Sequence, residues 1–258
     1  MSGGGAEDLC FCTLALGGRY REMARAAADG LKKFFPGVEL VILTDSPGYF
    51  SGCGNVRAYR HRQTGILHPY QDKRFAIQKA LSLHGTVIFM DADTGIKRKP
   101  FRDARFDPGI TTISEDLVEH IEKTVPSRLP RVRGLCGKLG LDPRDCKWSG
   151  EALVVVKKNG GKERKFLDIW DRAGRYLQIH GIVSGVGIPM GVAAAAAGLK
   201  IHSGAHYEEL RSCMDHVDAS NQRPGLSTAR LWKKRIGYHY RLNRERLKAL
   251  SDPCFYYL

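Results

Sequence analysis

The sequence is short of several things, and each absence narrows the reading. It contains no CxxC pair and no run approaching eighteen apolar residues, and no basic segment leads into an apolar one at its start. The seven cysteines (Cys10, Cys12, Cys53, Cys136, Cys146, Cys213, Cys254) are odd in number and form no CxxC pair, which argues against a disulfide framework or a zinc ribbon. Without a long apolar run nothing is expected to span a membrane, and the first residues, "MSGGGAEDLC", do not read as a secretory signal. The expected setting is the cytoplasm. Acidic residues are also scarce: 27 Asp and Glu face 41 Lys and Arg, a net charge of +14. Such an excess draws polyanions, whether nucleic acid, an anionic membrane face or a phosphorylated ligand.

What is present is an alternation. "LCFCTLA" (9–15) reads as a buried strand carrying Cys10 and Cys12 on one face, and "RYREMARAAADGLKKFF" as a helix ending at Pro36-Gly37. "VELVILTD" (38–45) is a second strand, "NVRAYRH" a short third, and "YQDKRFAIQKALSLHG" a second helix. The strand "TVIFMDAD" follows. Beyond it lie "ITTIS", a polar, basic, Pro- and Gly-punctuated region (119–148), the strand "EALVVVKK" (151–158), a helix over 161–179, a short helix "VAAAAAG" and the strand "GLKIHS". This order predicts an α/β fold with a mostly parallel central sheet flanked by helices. The expected division is a flexible start (1–8), a main domain (9–205, with halves 9–110 and 111–205) and a basic, aromatic C-terminal extension (206–258).

The chemistry concentrates in "MDAD". Four apolar residues, Val87 to Met90, run into Asp91 and Asp93 at a strand end, where open α/β sheets bind ligands. Same-face residues lie ~7 Å apart along an extended strand, so both carboxylates reach one ion only as the strand turns. Mg²⁺ or Mn²⁺ suits such an oxygen site and can neutralise charge on a departing diphosphate.

These motifs, in this order, resemble a nucleotide-sugar-dependent glycosyltransferase with the Rossmann-like GT-A fold. "TLALGGRY" is similar to the nucleotide entry of the blood-group-type galactosyl and N-acetylgalactosaminyl transferases. That likeness implies donor contacts from Thr13, Ala15, Leu16, Arg19 and Tyr20, with Asp45 at the next strand end. "DKRFAIQKAL" resembles the helix that offers a cation to the sugar nucleotide, through Lys73 or Arg74. "MDAD" is similar to the metal motif, implying Asp91 and Asp93 as ligands with Ala92 at the donor. "WSGEALVVV" resembles the segment lining donor and acceptor sugars, implicating Trp148, Ser149 and Gly150. "KIHSG" looks like the glycogenin-like motif whose histidine, here His202, ligates the metal. The implied donor is a nucleoside-diphosphate sugar, most simply a UDP-sugar.

One departure stands out. No acidic residue occurs from 172 to 207, where the blood-group-type enzymes carry a carboxylate near the reacting carbon. Glu151, Glu115 and Asp116 are the remaining carboxylates at predicted strand edges, each able to act as a base or to bind a sugar.

The surplus cations fall in "KRKPFRDAR" (Lys97, Arg98, Lys99 foremost), in 127–147 (Arg131, Arg133) and in the tail. From Arg223 to Lys248 nine basic residues, Lys233, Lys234 and Arg235 among them, meet one acidic residue. Cations with interleaved aromatics favour nucleic acid as the acceptor, for example a hydroxymethylated DNA base taken out of its stack, resembling in role the base-glucosylating enzymes of bacterial viruses. The alternative acceptor is a lipid-linked or envelope saccharide at an anionic membrane. No obligate protein partner is inferred. A nucleotidyltransferase or a non-enzymatic nucleic-acid-binding module stand as lesser readings, since "GGRYR" is a poor phosphate loop and the usual nucleic-acid motifs are missing.

Overall fold

A computed structural model describes residues 8–99, 105–217, 219 and 227–258. Residues 1–7, the 100–104 part of the first cation cluster, and Arg223 of the tail lie outside the described residues.

Seven strands form the main sheet. β1 (Leu9–Ala15), β2 (Glu39–Thr44), β3 (Val56–Arg60) and β4 (Thr86–Met90) are mutually parallel, with α1 (Gly18–Phe34) and α2 (Lys73–Leu81) between them. A three-residue strand β5 (Thr94–Ile96) follows, then β6 (Gly109–Thr111). After β7 (Ser114–Asp116), α3 (Leu117–Thr124), α4 (Leu129–Lys138) and β8 (Lys147–Ser149) comes β9 (Leu153–Lys157). The chain then runs through α5 (Lys162–Ile179), α6 (Gly187–Ala197), β10 (Ile201–His202), α7 (Ala205–Ser212), β11 (Met214–His216), α8 (Thr228–Ala249) and α9 (Pro253–Tyr256).

The sheet order is β10-β6-β9-β4-β1-β2-β3. The order reverses at β1: its successor β2 lies on one side and β4 on the other, so a crevice opens beyond the carboxyl ends of β1 and β4. β9 runs antiparallel to both β4 and β6, against the parallel direction its position in the alternation suggests. The chain reaches β9 through β8, which pairs with β7 in a two-stranded antiparallel sheet. Leu153 therefore enters opposite Met90, and Asp91 N donates to the Ala152 carbonyl at 2.9 Å at the same sheet end.

Alternation along the strands divides the core. Cys10, Cys12, Val87 and Phe89 face α2, α5 and α6, where Ile77, Phe166, Trp170 and Met190 cover them. Phe11, Ile88 and Met90 face α1 through Ala24, Ala27 and Leu31. Both sides of β4 are buried, which is why its sequence is apolar without a break. Burial, helped by Glu39 and Asp8, pushes the Cys10 thiol up to about 12, so it acts as a core residue.

The region 119–148 is not an irregular loop. α3 and α4 bury Leu117, Ile121, Val132, Leu135 and Cys136 in a third cluster with Tyr176, Val192 and Phe255. The biased helix is longer than its alanine run, and Gly198 ends it in the left-handed region at φ 66. Among the described residues no helix is long and apolar enough to cross a membrane.

α6 lies directly on β8. A Cβ on Gly191 would stand 1.7 Å from the Lys147 carbonyl oxygen, and one on Gly187 would stand 2.4 Å from the Ser149 carbonyl oxygen. Gly191→Ala should therefore force α6 off the strand and cost about 1–3 kcal/mol. Urea unfolding measures it; a variant as stable as the parent would mean that α6 and β8 do not make this contact.

Candidate metal and nucleotide-sugar site

β4 ends at Met90, and the chain turns so that Thr94 N donates to the Asp91 carbonyl (2.9 Å). That turn aims both carboxylates into the crevice. Lys73, the first residue of α2, places Nζ 2.7 Å from Asp91 Oδ1 and 2.9 Å from the Glu151 carbonyl oxygen. One ammonium thus joins α2, β4 and the entry to β9. Burial opposes the Lys73 charge, but Asp91 and Glu151 outweigh it and hold the amine above its ordinary value. Burial likewise pushes the Asp91 carboxyl up, and Lys73 offsets only part of this.

The histidine at this pair is His216. β11 pairs antiparallel with β5, setting His216 opposite Thr94, with Nδ1 3.2 Å from Thr94 Oγ1 and 3.6 Å from Asp93 Oδ1. Asp91, Asp93 and His216 each offer a ligand atom, all within 4.8 Å of one another. Two hard carboxylates and one imidazole form a set that fits Mn²⁺ or Mg²⁺ better than a soft metal. His202, the histidine expected as ligand, instead lies on β10 at the sheet edge, with Nε2 3.3 Å from the Pro108 carbonyl oxygen. Sequence reasoning missed His216 because nothing local marks β11; its partner strand lies 122 residues earlier.

Around the pair opens a cavity of about 400 Å³ lined by Leu14, Leu16, Tyr20, Gln63, Leu67, His68, Pro69, Tyr70, Lys73, Asp91, Ala92, Asp93, His216, Lys234 and Arg241. Its size and its mixture of apolar, aromatic and charged walls suit a small-molecule ligand. The 61–70 loop that supplies one wall is gathered around a fully buried carboxylate. Asp72 accepts from Thr64 N (2.7 Å), Gly65 N (2.9 Å) and the Thr64 hydroxyl, and lies 3.0 Å from His61 Nε2. His68 and Tyr70 stack at 4.9 Å on that loop. These aromatics were not singled out from sequence, since the loop has no periodicity to read.

Beside it a second cleft of about 120 Å³ is lined by residues including His120, Arg128, Trp148, Glu151 and Ser184. His120 stacks on Trp148 at 4.1 Å, and Arg128 Nη2 donates to Ser184 Oγ at 2.6 Å. Glu151 links this cleft to Lys73: its carbonyl accepts from the Lys73 ammonium, while Oε2 accepts from Val186 N at 3.0 Å.

The structure thus gathers Leu16, Tyr20, Lys73, Asp91, Ala92, Asp93 and Lys234 at one cavity, with Trp148 and Glu151 at the next. Other candidates are placed elsewhere. Thr13, Ala15 and Ser149 are buried in the sheets, the Thr13 and Ser149 hydroxyls without a protein partner. Asp45 binds Gly17 N and, at 2.6 Å, Arg21; these partners hold its carboxyl below its ordinary value although burial works the other way. Arg74 turns away from the crevice, pairing with Asp171 and stacking on Phe75. Arg19 donates to the Ala219 carbonyl at 3.1 Å, and Ala219 N donates to Asp93 Oδ2 at 2.8 Å. Glu115 pairs with His120 (2.9 Å), and Asp116 caps α3. Gly150 N donates to the Ile113 carbonyl at 2.8 Å. Lys97 pairs with Asp215 (3.1 Å), and Arg98 Nη2 donates to Ser212 Oγ (2.7 Å). Lys99, Arg131, Arg133, Lys233 and Arg235 are exposed.

No family model matches the chain, and no curated relative does. Among solved structures, the crystal structure of the galactosyltransferase LgtC in complex with donor and acceptor sugar analogs is similar. The likeness covers 75% of this chain and 72% of that one, at 12% sequence identity and a TM-score of 0.47. The functional reading below therefore stands on the geometry of the site.

Two consequences can be measured. Asp91→Asn leaves the buried Lys73 ammonium without its counter-charge and should cost about 3–5 kcal/mol of stability in thermal or urea unfolding. His216→Ala should leave stability nearly unchanged while weakening Mn²⁺ binding about ten- to a hundred-fold or more. His202→Ala should leave Mn²⁺ binding untouched by calorimetry; the opposite ranking of the two histidines would overturn the assignment of the cluster.

Proposed function

We propose that the chain is a metal-dependent glycosyltransferase of the GT-A type, moving a sugar from a nucleoside-diphosphate sugar to a hydroxyl acceptor. The observation that carries this reading is the Asp91–Asp93–His216 cluster, set with Lys73 at the topological switch of the sheet and open to a cavity with an aromatic wall. A divalent ion bound there supplies charge neutralisation for the departing diphosphate. Asp91, Asp93 and His216 would hold it. Lys73, Lys234 and Arg241 add fixed positive charge in a partly dry cleft, where it counts for more than in water. Tyr20 and Tyr70 offer faces to a base or sugar ring, a UDP-sugar being the simplest donor. Glu151 lines the second cleft, and its carboxylate would take a proton from an acceptor hydroxyl there. The donor half, 9–110, and the acceptor half, 111–205, would meet there. The cytoplasmic setting is supported by cysteines that are all free.

For the acceptor, the exposed cations of α4 and α8 suit a polyanion, and the first reading is a hydroxymethylated base in DNA. A second reading, a saccharide at an anionic membrane, draws on a different observation: α8 exposes apolar residues beside its cations.

The test is Mn²⁺-dependent release of nucleoside diphosphate from a panel of sugar nucleotides, with hydroxymethylated duplex DNA or a lipid-linked saccharide added. Diphosphate release with sugar found on one additive establishes both the chemistry and the acceptor class. Transfer of the nucleotide itself would instead make the chain a nucleotidyltransferase, and no turnover of any donor would reduce it to a binding module. Glu151→Gln should lower transfer by about 10²–10⁴-fold while leaving Mn²⁺ binding intact.

A further inference from the structure

Helix α8 has two working faces. On the inner one, Arg241 Nε donates to the Ile66 carbonyl (3.0 Å) and Arg244 Nη2 to the Thr64 carbonyl (3.0 Å). Buried Glu245 accepts from Arg175 Nε at 2.9 Å. These bonds fasten the helix to the 61–70 loop and to α5, and the same face lends Lys234 and Arg241 to the cavity of Asp91 and Asp93.

The outer face is largely apolar, interrupted only by exposed Asn243 within the arc. Trp232, Ile236, Tyr240 and Leu247 are 58%, 66%, 67% and 69% exposed. At about 100° per residue they fall within an arc of roughly 80°, and Leu250 at the C-cap, 61% exposed, falls on it too. Of the ten large hydrophobics exposed among the described residues, six (Leu231 being the sixth) lie on this helix or its cap. Single exposed leucines need no explanation, but an aligned set calls for a partner. Exposed Lys233 borders the arc on one side, and exposed Arg235 and Arg246 on the other, with the Arg235 guanidinium 5.7 Å over the Trp232 ring.

An apolar stripe between rows of cations matches the surface of an anionic bilayer, into which such a helix sinks its apolar side while its cations meet the headgroups. Nucleic acid would engage the cations and the aromatic rings but offers nothing to Ile236, Leu247 or Leu250. We propose that the outer face of α8 docks on an anionic membrane surface. Docking fixes the helix and thereby holds Lys234 and Arg241 at the donor cavity, so that the lipid surface stimulates turnover. That second effect rests on the glycosyltransferase reading; the docking itself does not.

The test is flotation of the full chain with vesicles of phosphatidylcholine alone or mixed with phosphatidylglycerol, alongside donor turnover and binding to duplex DNA. The expected result is binding to the anionic vesicles only, weakened at least about tenfold in the Ile236→Ser/Leu247→Ser variant. That variant should keep the parent's Tm and its vesicle-free diphosphate release while losing stimulation by vesicles. A Lys233→Glu/Arg235→Glu variant should also fail to bind the anionic vesicles. Vesicle binding unaffected by the serine pair, or no vesicle binding by the parent, overturns the proposal. Duplex DNA that displaces vesicles and binds the serine pair as tightly as the parent overturns it in favour of nucleic acid. Vesicle binding with no turnover of any donor upholds the docking face and overturns the donor chemistry alone.

Discussion

The Lys73–Asp91 pair is the contact on which the rest of the site depends. Lys73 reaches Asp91 at 2.7 Å and the Glu151 carbonyl at 2.9 Å, so one side chain fixes the relative position of α2, β4 and the approach to β9. A buried ion pair of this kind adds little net stability, because desolvation consumes most of the attraction. Its effect is positional. With the pair in place, Asp91 points into the crevice between β1 and β4, and Glu151 is held where its carboxylate faces the second cleft. Asp72, just before Lys73, is committed to the 61–70 loop. Two adjacent residues therefore hold the metal end of the cavity and its aromatic wall.

Much of the first half was legible in the sequence. β1, α1, β2, α2 and β4 carry apolar periods strong enough to place them within a few residues, and an unbroken apolar strand ending in two carboxylates locates the site. What could not be read was anything set by pairing between distant segments. The direction of β9 follows from a connection through β8 that carries no signal in β9 itself. The identity of the histidine follows from three residues of β11 pairing with three of β5, too short a pattern to distinguish from a loop. α4 is an intermediate case. Leu129, Val132, Leu135 and Cys136 do repeat at helical spacing, but Pro130, Gly134 and the arginines obscure the repeat within a polar, basic region.

The distribution of charge separates two questions that composition merges. The cavity at Asp91 and Asp93 is lined by three cations, Lys73, Lys234 and Arg241, and two carboxylates, Asp91 and Asp93, a formal excess of one. The cavity has no use for a net charge of +14, so most of that surplus belongs to outer surfaces. Charge on a surface tells only that its partner is anionic, because phosphodiester chains and lipid headgroups attract lysine and arginine by the same long-range force. Discrimination has to come from what lies between the cations. On α8 that is an arc of Trp232, Ile236, Tyr240, Leu247 and Leu250, whose aliphatic members gain from leaving water but nothing from a base stack. The same helix touches the cavity of Asp91 and Asp93 on its other side, so whatever engages the arc also bears on the position of Lys234 and Arg241.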